Sequence, residues 1–193
     1  MAPCLSGIPA QAPLGLSTDG GARLFLYNMI AMKPGDRIEV RKVEQEDAPW
    51  QASFRAFYSD CGTRELAGKA HTYFAAYSGD ELVGHSVIYR EKGRWVMDGL
   101  RVKPEFRERG IAKRLTEARI RYAVEQGAKD IWYACEDGNL VTICCHVRYG
   151  FEKVCPRSHQ KQHCTAATAH WYHLKITPEL FKKFPVLKAG RKP

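Results

Sequence analysis

The spacing of hydrophobic and polar residues divides the chain at about residue 36. Residues 1–36 show no sustained period, and residues 1–21 are rich in Pro, Gly, Ser and Ala. Such a composition predicts a partly flexible N-terminal extension. The short apolar run Leu24–Met32 has two explanations: translation starts at one of its two methionines, or the run packs on the domain or on a second subunit.

From residue 37 onward the pattern is regular and alternates between the two common periods. A period of two predicts strands, and apolar residues three and four apart predict helices. We predict strands at 37–43, 71–77, 81–89, 94–102, 130–135, 151–154 and 170–176. We predict helices at 45–60, 111–126, 140–150 and 178–184. The predicted organisation is an extension at 1–36, one domain at 37–177 and a basic C-terminal tail with a short helix at 178–193.

Two of these elements carry predictions about orientation. In the helix at 111–126, Ile111, Leu115, Ala118 and Tyr122 share one face, whereas Lys113, Arg114, Arg119 and Arg121 are expected to face mostly elsewhere. In the last strand, Trp171 and Tyr172 alternate, so one is expected in the core and the other free for substrate or dimer packing.

Length and cysteine usage favour a reduced, single-domain protein. A chain of 193 residues buries one sizeable core. No stretch approaches the roughly 18 apolar residues that a membrane span needs. The seven cysteines are odd in number, Cys135 lies in an apolar strand-like run, and Cys144 and Cys145 are adjacent on a predicted helix. We therefore expect free thiols and a cytoplasmic location.

The formal net charge of +9 is spread along the chain, with a mild concentration at residues 101–121 and at the C-terminus. A general positive surface attracts nucleic acids, acidic substrates and phosphate-bearing cofactors alike. Charge alone therefore does not choose among these partners.

The segment after the strand at 94–102 has the chemistry of an anion site. A helix N-terminus presents backbone N–H groups that lack intrahelical acceptors, and the helix dipole adds partial positive charge there. Gly110 lets a ligand approach the backbone closely, and Arg107, Arg109 and Lys113 add positive charge. The residues themselves therefore predict a phosphate-binding junction between a strand and a helix.

Two motifs in order make the prediction more specific. Residues Leu100 to Pro104, then Arg107 to Ala112 and Leu115, resemble the main cofactor motif of the GCN5-related N-acetyltransferase (GNAT) superfamily. Asn139, followed by Gly150-Phe151, resembles its second motif. The resemblance covers about residues 37–177. It implies an α/β fold of the mixed, α+β-like kind. Its sheet would be mostly antiparallel, with six or seven strands, helices on both faces and two splayed central strands.

The resemblance also implies acetyl-CoA as a cosubstrate; no metal is expected. The pantetheine arm would lie between the splayed strands, and the pyrophosphate would sit on backbone amides at the start of the helix. The cofactor-binding residues implied in this way are Leu100, Arg101, Val102, Arg107, Glu108, Arg109, Gly110, Ile111, Ala112, Lys113 and Asn139.

Acetyl transfer to an alkylammonium is helped by a base, because such an amine, with a pKa of about 10.4, is protonated at neutral pH. Asp98 stands where similar enzymes often carry a glutamate base, and Asp is disfavoured inside strands. The alternative is a solvated residue or an ordinary ion-pair partner. Glu136, at the end of the next strand, is the competing carboxylate.

The sequence departs from the family pattern at the residue that would protonate the leaving thiolate. Many relatives have tyrosine seven residues after the motif asparagine, and this chain has His146 there. His146 is predicted to protonate the thiolate, with two alternatives left open: it contacts the cofactor sulfur, or it packs as a neutral side chain. Tyr149 is a substitute at the wrong offset.

A cluster near the C-terminus superficially resembles metal ligands: Cys155, His159, His163, Cys164, His170 and His173. Its spacing lacks the paired C-x2-C knuckle of structural zinc sites. We therefore interpret residues 155–169 as a polar, basic loop. In the GNAT superfamily that this chain resembles, the loop at this position is often part of the acceptor site.

The leading hypothesis is an N-acetyltransferase that acts by direct attack in a ternary complex. Its acceptor would be a primary amine of a small molecule or of a protein N-terminus or lysine. One alternative is an acetyl-CoA-binding or sensing module without catalysis. The other is an enzyme that acts on RNA, such as aminoacyl-tRNA, which the charge of +9 would suit. No membrane partner is expected, nucleic acid is disfavoured, and a homodimer is left open.

Overall fold

The computed structural model describes residues 37–58, 71–154, 169–188 and 190 of the chain. The strands are β1 (Ile38–Val43), β2 (His71–Ser78), β3 (Glu81–Glu91), β4 (Arg94–Val102), β5 (Asp130–Glu136), β6 (Glu152–Val154) and β7 (Ala169–Lys175). The helices are α1 (Ala48–Phe57), α2 (Ile111–Glu125), α3 (Leu140–Val147) and α4 (Pro178–Lys183), with 3-10 turns at Pro104–Phe106 and Pro185–Leu187. Every predicted strand and helix is present. The predicted extension at 1–36 lies outside the described residues.

All seven strands form one sheet in the order β1-β2-β3-β4-β5-β7-β6. Neighbouring strands are antiparallel, except β4 and β5, which are parallel. This confirms the mixed, mostly antiparallel sheet that the sequence predicted. The β4–β5 pairing covers only Trp95–Met97 and Ile131–Tyr133, so the two central strands separate beyond that point.

The sheet is covered on both faces because its strands alternate between two clusters of buried side chains. On β2, Tyr73 and Ala75 belong to the cluster that holds α1, whereas Phe74 and Ala76 belong to the cluster under α2. The α1 cluster is strongly aromatic: it contains Trp50, Phe54, Phe57, Tyr58, Tyr73 and Tyr77. Burying aromatic side chains of this size contributes a large share of the stability of a small domain.

The α2 helix buries the predicted face, but one predicted orientation is wrong. Ile111, Leu115 and Ala118 are buried, and Tyr122 packs edge-on against Phe74. Arg119, expected to face mostly elsewhere, is 1% exposed. It follows Leu115 by four residues, so the helical period carries it onto the same buried face.

The prediction for the last strand is also wrong in part. Trp171 and Tyr172 are both buried, at 7% and 3% exposure. Each ring packs against a ring of the neighbouring strand β5, since Tyr172 stacks on Tyr133 and Trp171 meets the edge of Trp132. Neither ring is therefore available as an exposed packing surface.

Among the described helices, none has the length and apolar character required to cross a membrane.

Candidate active site

A cleft opens where β4 leaves β5. Beyond the pair formed by Met97 and Tyr133, the edge of β4 that faces β5 has no strand partner in the described part of the chain. On its other edge, β4 carries a β-bulge, because Gly99 and Leu100 stand opposite the single residue Ser86 of β3. Gly99 has a φ of 58°, in the left-handed region that favours glycine. The bulge lies just beyond the point where the pairing of β4 with β5 ends.

The cleft has a volume of about 290 Å³. Both separating strands and the start of α3 contribute to its walls, and α2 contributes one side chain. The residues that line it are Met97, Asp98, Gly99, Leu100, Arg119, Tyr133, Ala134, Cys135, Glu136, Asn139, Thr142 and His146.

The loop between β4 and α2 ends in an open cradle of backbone N–H groups. The first N–H of α2 with a backbone acceptor belongs to Arg114, which donates to the Gly110 carbonyl at 3.1 Å. The N–H groups of residues 108–113 have no described backbone acceptor. Gly110 has a φ of 76°, and a Cβ placed on it would meet nothing within 4 Å. The cradle is therefore free to receive an anion such as a pyrophosphate.

The basic side chains around this cradle are exposed to solvent. The Arg109 guanidinium lies 5.1 Å from the centre of the Phe106 ring. The Lys113 ammonium lies 3.9 Å from a Glu117 carboxylate oxygen. Arg107 donates from Nε to the Val102 carbonyl at 3.4 Å. These contacts are long and exposed, so the cations keep the freedom to turn toward a phosphate.

Arg101 is directed away from the cleft. Its Nη1 donates to the Phe57 carbonyl at 3.1 Å, and its guanidinium packs over the rings of Phe57 and Tyr58. The side chain therefore belongs to the α1 side of the sheet. The predicted cofactor contact of Arg101 is limited to its backbone.

The two carboxylates predicted as alternative bases stand on opposite walls of the cleft. Asp98 is exposed on β4, and its Oδ1 accepts a hydrogen bond from the Gly99 N–H at 2.7 Å. Glu136 is the exposed last residue of β5. Both line the cleft. The position of each is compatible with a base that receives a proton from an acceptor amine.

Asn139 lies at the mouth of the cleft and caps α3. Its Oδ1 accepts from the Thr142 N–H at 3.2 Å, which satisfies one of the first N–H groups of the helix. The side chain is exposed and lines the cleft. The motif asparagine therefore fixes the start of α3 while leaving its polar side chain near the predicted cofactor site.

A buried guanidinium forms part of the floor of the cleft. Arg119 of α2 donates through Nη1 to the Asp98 carbonyl at 3.2 Å and through Nη2 to Thr116 Oγ1 at 3.2 Å. It also lies 3.2 Å from His146 Nε2 on α3. Nε of Arg119 is buried and has no hydrogen-bond partner among the described residues. This one side chain thus joins α2, the splayed part of β4 and α3.

His146 is a neutral member of this network. Its Nδ1–H donates to the Thr142 carbonyl at 2.7 Å, so Nε2 carries the lone pair that accepts from Arg119. Burial, and then the positive charge of Arg119, lower the pKa of His146 to about 3. The ring stacks on Tyr133 with the centres 4.3 Å apart. Of the three alternatives for His146, these contacts describe a packed neutral side chain.

Tyr149 is buried below the cleft and is not among its lining residues. Its hydroxyl donates to Glu117 Oε1 at 2.9 Å, which ties the end of α3 to α2. Burial and the Glu117 carboxylate raise the pKa of Tyr149 well above its usual range. The geometry therefore gives Tyr149 a structural contact.

The structure describes two of the six apparent metal ligands, His170 and His173. Cys155, His159, His163 and Cys164 lie outside the described residues. His170 Nδ1 lies 2.9 Å from Asp137 Oδ1, and His173 stacks on Trp132 at 4.1 Å. Within the described residues, no group of three or more metal-binding side chains comes together.

The comparisons with known proteins agree with this architecture. The family model described as the acetyltransferase (GNAT) family matches residues 37–151. Among solved structures, the ribosomal-protein-S18-alanine N-acetyltransferase of Escherichia coli is 14% identical, with 73% of this chain and 95% of that one covered and a TM-score of 0.57. A GNAT family acetyltransferase from Staphylococcus aureus Mu50 is 13% identical, with 73% and 100% covered and a TM-score of 0.58.

A GNAT family acetyltransferase from Elizabethkingia anophelis, solved with acetyl-CoA bound, is 15% identical, with 73% of this chain and 99% of that one covered and a TM-score of 0.56. At such identities the structural likeness shows the fold alone. No curated protein matches the chain significantly.

Proposed function

Because the chain belongs to the GNAT acetyltransferase family, we propose that it transfers the acetyl group of acetyl-CoA to a primary amine in a ternary complex. The acceptor class is the amine of a small molecule or of a protein N-terminus or lysine. The observation that carries the proposal is the placement of two sites along the same strand. An open N–H cradle at residues 108–113 lies at the carboxyl end of β4, and a cleft runs along the same strand.

Acetyl-CoA carries its pyrophosphate and its thioester at opposite ends of an extended pantetheine arm. The backbone amides of Glu108–Lys113 would hold the pyrophosphate, with the helix dipole and the side chains of Arg107, Arg109 and Lys113 adding charge. The unpaired edge of β4 at Leu100–Val102 would receive the arm in the manner of an added strand. Bound there, the thioester supplies an acetyl carbon that an amine can attack.

The chain's own residues then have three tasks. The β4 bulge keeps the cleft open, the cradle fixes the far end of the cofactor, and a carboxylate takes a proton from the acceptor ammonium so that the free amine can attack. Asp98 is our first choice for that base, because it lies at the bulge itself and its backbone is held by Arg119. Glu136, on the opposite wall, is the second choice. We assign no proton donation to His146.

The cradle is tested by two matched substitutions. Gly110 and Gly127 flank α2, both have positive φ, and a side chain at either would enter open space. Gly110→Asp and Gly127→Asp should each lose about 1–2 kcal/mol of stability from the left-handed backbone. Only Gly110→Asp places a carboxylate in the proposed cradle. We expect acetyl-CoA binding, measured by calorimetry, to fall at least about 100-fold in this variant alone.

The activity is tested by following thiol release from acetyl-CoA across polyamines, aminoglycosides, peptides with free N-termini, lysine peptides and aminoacyl-tRNA. Turnover of one class identifies the acceptor. Tight acetyl-CoA binding without turnover of any amine would support the non-catalytic module instead. Turnover only of aminoacyl-tRNA, lost steeply as salt rises, would support the RNA-directed alternative. If Gly110→Asp bound acetyl-CoA as tightly as the wild-type protein, the pyrophosphate would not lie on the proposed cradle.

A further inference from the structure

Arg119 is a buried cation without a carboxylate partner in the described part of the chain. Its guanidinium is 1% exposed and its hydrogen bonds go to neutral acceptors: the carbonyls of Val87 and Asp98, Thr116 Oγ1 and His146 Nε2. Buried charges in proteins are normally paired, because an unpaired one costs several kcal/mol of solvation energy. A cation left unneutralised in the floor of a cleft points to an anionic partner that arrives with a ligand.

The titratable groups around this guanidinium do not neutralise it. On α3, His146 is neutral, and Cys145, whose Sγ lies 3.6 Å from Thr116 Oγ1, interacts with Arg119 electrostatically without a hydrogen bond to it. On β5, burial raises the pKa of Tyr133, so its hydroxyl stays protonated. On β4, the Asp98 carboxylate bonds its neighbouring N–H and acts on Arg119 at longer range. Burial lowers the pKa of Arg119 to about 10, which leaves it cationic at neutral pH.

The position of Arg119 along the cleft indicates which part of the ligand it would meet. The anion cradle lies beyond Val102, the last residue of β4. Arg119 contacts Asp98, one residue beyond the Met97–Tyr133 pair where the cleft closes. A ligand with its pyrophosphate on the cradle and its arm along β4 must therefore bring its other end toward Arg119. In coenzyme A that end is the sulfur.

We propose that Arg119 stabilises the negative charge that forms on the coenzyme A sulfur, and that His146 is the positioning residue that holds the guanidinium there. The inference rests on the proposed function, because it requires coenzyme A in this cleft. The Nε–H of Arg119 has no hydrogen-bond acceptor among the described residues. Neutral His146 suits the positioning role, since an imidazolium beside Arg119 would repel it and offer no lone pair.

The charge arises in the transfer step. The amine nitrogen attacks the acetyl carbon, the new C–N bond forms and the C–S bond breaks, with its electron pair retained by sulfur. The proton of the amine passes to a carboxylate of the cleft or to water. The sulfur therefore leaves as a thiolate, and the positive charge of Arg119 lowers the free energy of that product without transferring a proton.

The test measures the thiol of bound coenzyme A, which needs no acceptor amine. The free thiol has a pKa of about 8.5, and an opposite charge within about 4–6 Å lowers such a value by about one to three units. We therefore expect ultraviolet thiolate absorbance of coenzyme A bound to the wild-type protein to titrate at least one unit below the free thiol. Acetyl-CoA, which has no thiol, provides the baseline.

Three variants distinguish the effect of the Arg119 charge on the bound thiol from the effect of its packing. Arg119→Met removes the charge and keeps an unbranched chain, and replacing a buried charge in this way is often neutral or stabilising. Arg119→Lys keeps a positive charge. Arg114→Met is the matched control, since Arg114 also lies on α2 and donates to a backbone carbonyl, that of Ile38 at 2.6 Å, outside the cleft.

We expect Arg119→Met to return the bound thiol to its free value, with acetyl-CoA affinity changed less than about threefold. Arg119→Lys should keep part of the shift, and Arg114→Met all of it. An unshifted thiol in the wild-type complex, or an equal shift in Arg119→Met, would overturn the inference while leaving the proposed function standing. Failure of the wild-type protein to bind acetyl-CoA would instead remove both. Should Arg119→Met not fold, His146→Phe, which removes the acceptor for Nη2, tests the same shift.

Discussion

Met97 of β4 and Tyr133 of β5 form the last register pair that the two strands share. The Tyr133 ring lies between His146 and Tyr172, stacked on both with centres 4.3 and 4.7 Å away. The closed end of the cleft is therefore a rigid aromatic layer, whereas its mouth is formed by exposed polar residues. Such an arrangement suits a site in which one end of a ligand is shielded from solvent and the other end is solvated.

The choice between the two carboxylates is decided by isosteric amides. Asp98→Asn keeps an oxygen that accepts from the Gly99 N–H, so the bulge is expected to persist. If Asp98 is the base, its loss lowers kcat by about 100- to 10,000-fold with little change in the acetyl-CoA dissociation constant. The measurement is the pH profile of kcat with the acceptor found in the amine screen.

Glu136→Gln is the matched control on the opposite wall, and a decrease in kcat below about tenfold is expected for it. The reverse pattern, a large loss in Glu136→Gln and a small one in Asp98→Asn, would transfer the role to Glu136.

The neutral state of His146 predicts a loss of stability in acid. The pKa of His146 falls from 6.5 in the unfolded chain to about 3 in the folded protein. Between these values the unfolded chain binds a proton that the folded protein does not, so stability decreases as the pH falls from about 6.5 to about 3. This group contributes a slope of up to about 1.4 kcal/mol per pH unit in that window. Urea denaturation across the window measures it.

His146→Gln provides the control for this slope, because the Gln carbonyl can accept from Arg119 but does not titrate. We expect a flatter acid dependence for His146→Gln than for the wild-type protein between pH 6.5 and pH 3. Identical slopes would mean that the imidazole is protonated in the folded state, which returns the acid role to consideration.

Removal of the Tyr149 hydroxyl tests whether this group has a structural or a catalytic role. Tyr149→Phe leaves the half-buried Glu117 carboxylate without its 2.9 Å donor. We expect a loss of about 1–3 kcal/mol in the free energy of unfolding, measured with urea. Acetyl-CoA affinity and kcat should remain within about twofold of wild type, since Tyr149 does not line the cleft. A kcat decrease of 100-fold or more in a folded variant would instead mark Tyr149 as the acid for the leaving group.

The order of strands and helices was predictable because each has a clear period and clear ends. Gly79 and Gly93 mark the two hairpins, and Pro104 ends β4, so these boundaries lie within a few residues of those predicted. The cradle was predictable for the same reason, since it is local: a loop, a glycine and the first turn of a helix.

The floor of the cleft was not predictable in the same way. Arg119 reads as a surface residue of an amphipathic helix, and only its offset of four from Leu115 hints at burial. Its acceptors lie on β4 and α3, and their proximity depends on long-range packing. The neutrality of His146 follows from that packing too, so its spacing after Asn139 marked the position correctly but not its protonation state.

Because of the bulge at Gly99, the position of the cleft depends on the number of residues in β4. Two residues of β4 span the distance that one residue of β3 spans, and the extra residue advances the strand relative to its neighbour. Deleting Gly99 would place Leu100 alone opposite Ser86 and restore a continuous ladder, so the bulge beside the cleft would be lost. The length of this segment is thus constrained more tightly than its composition.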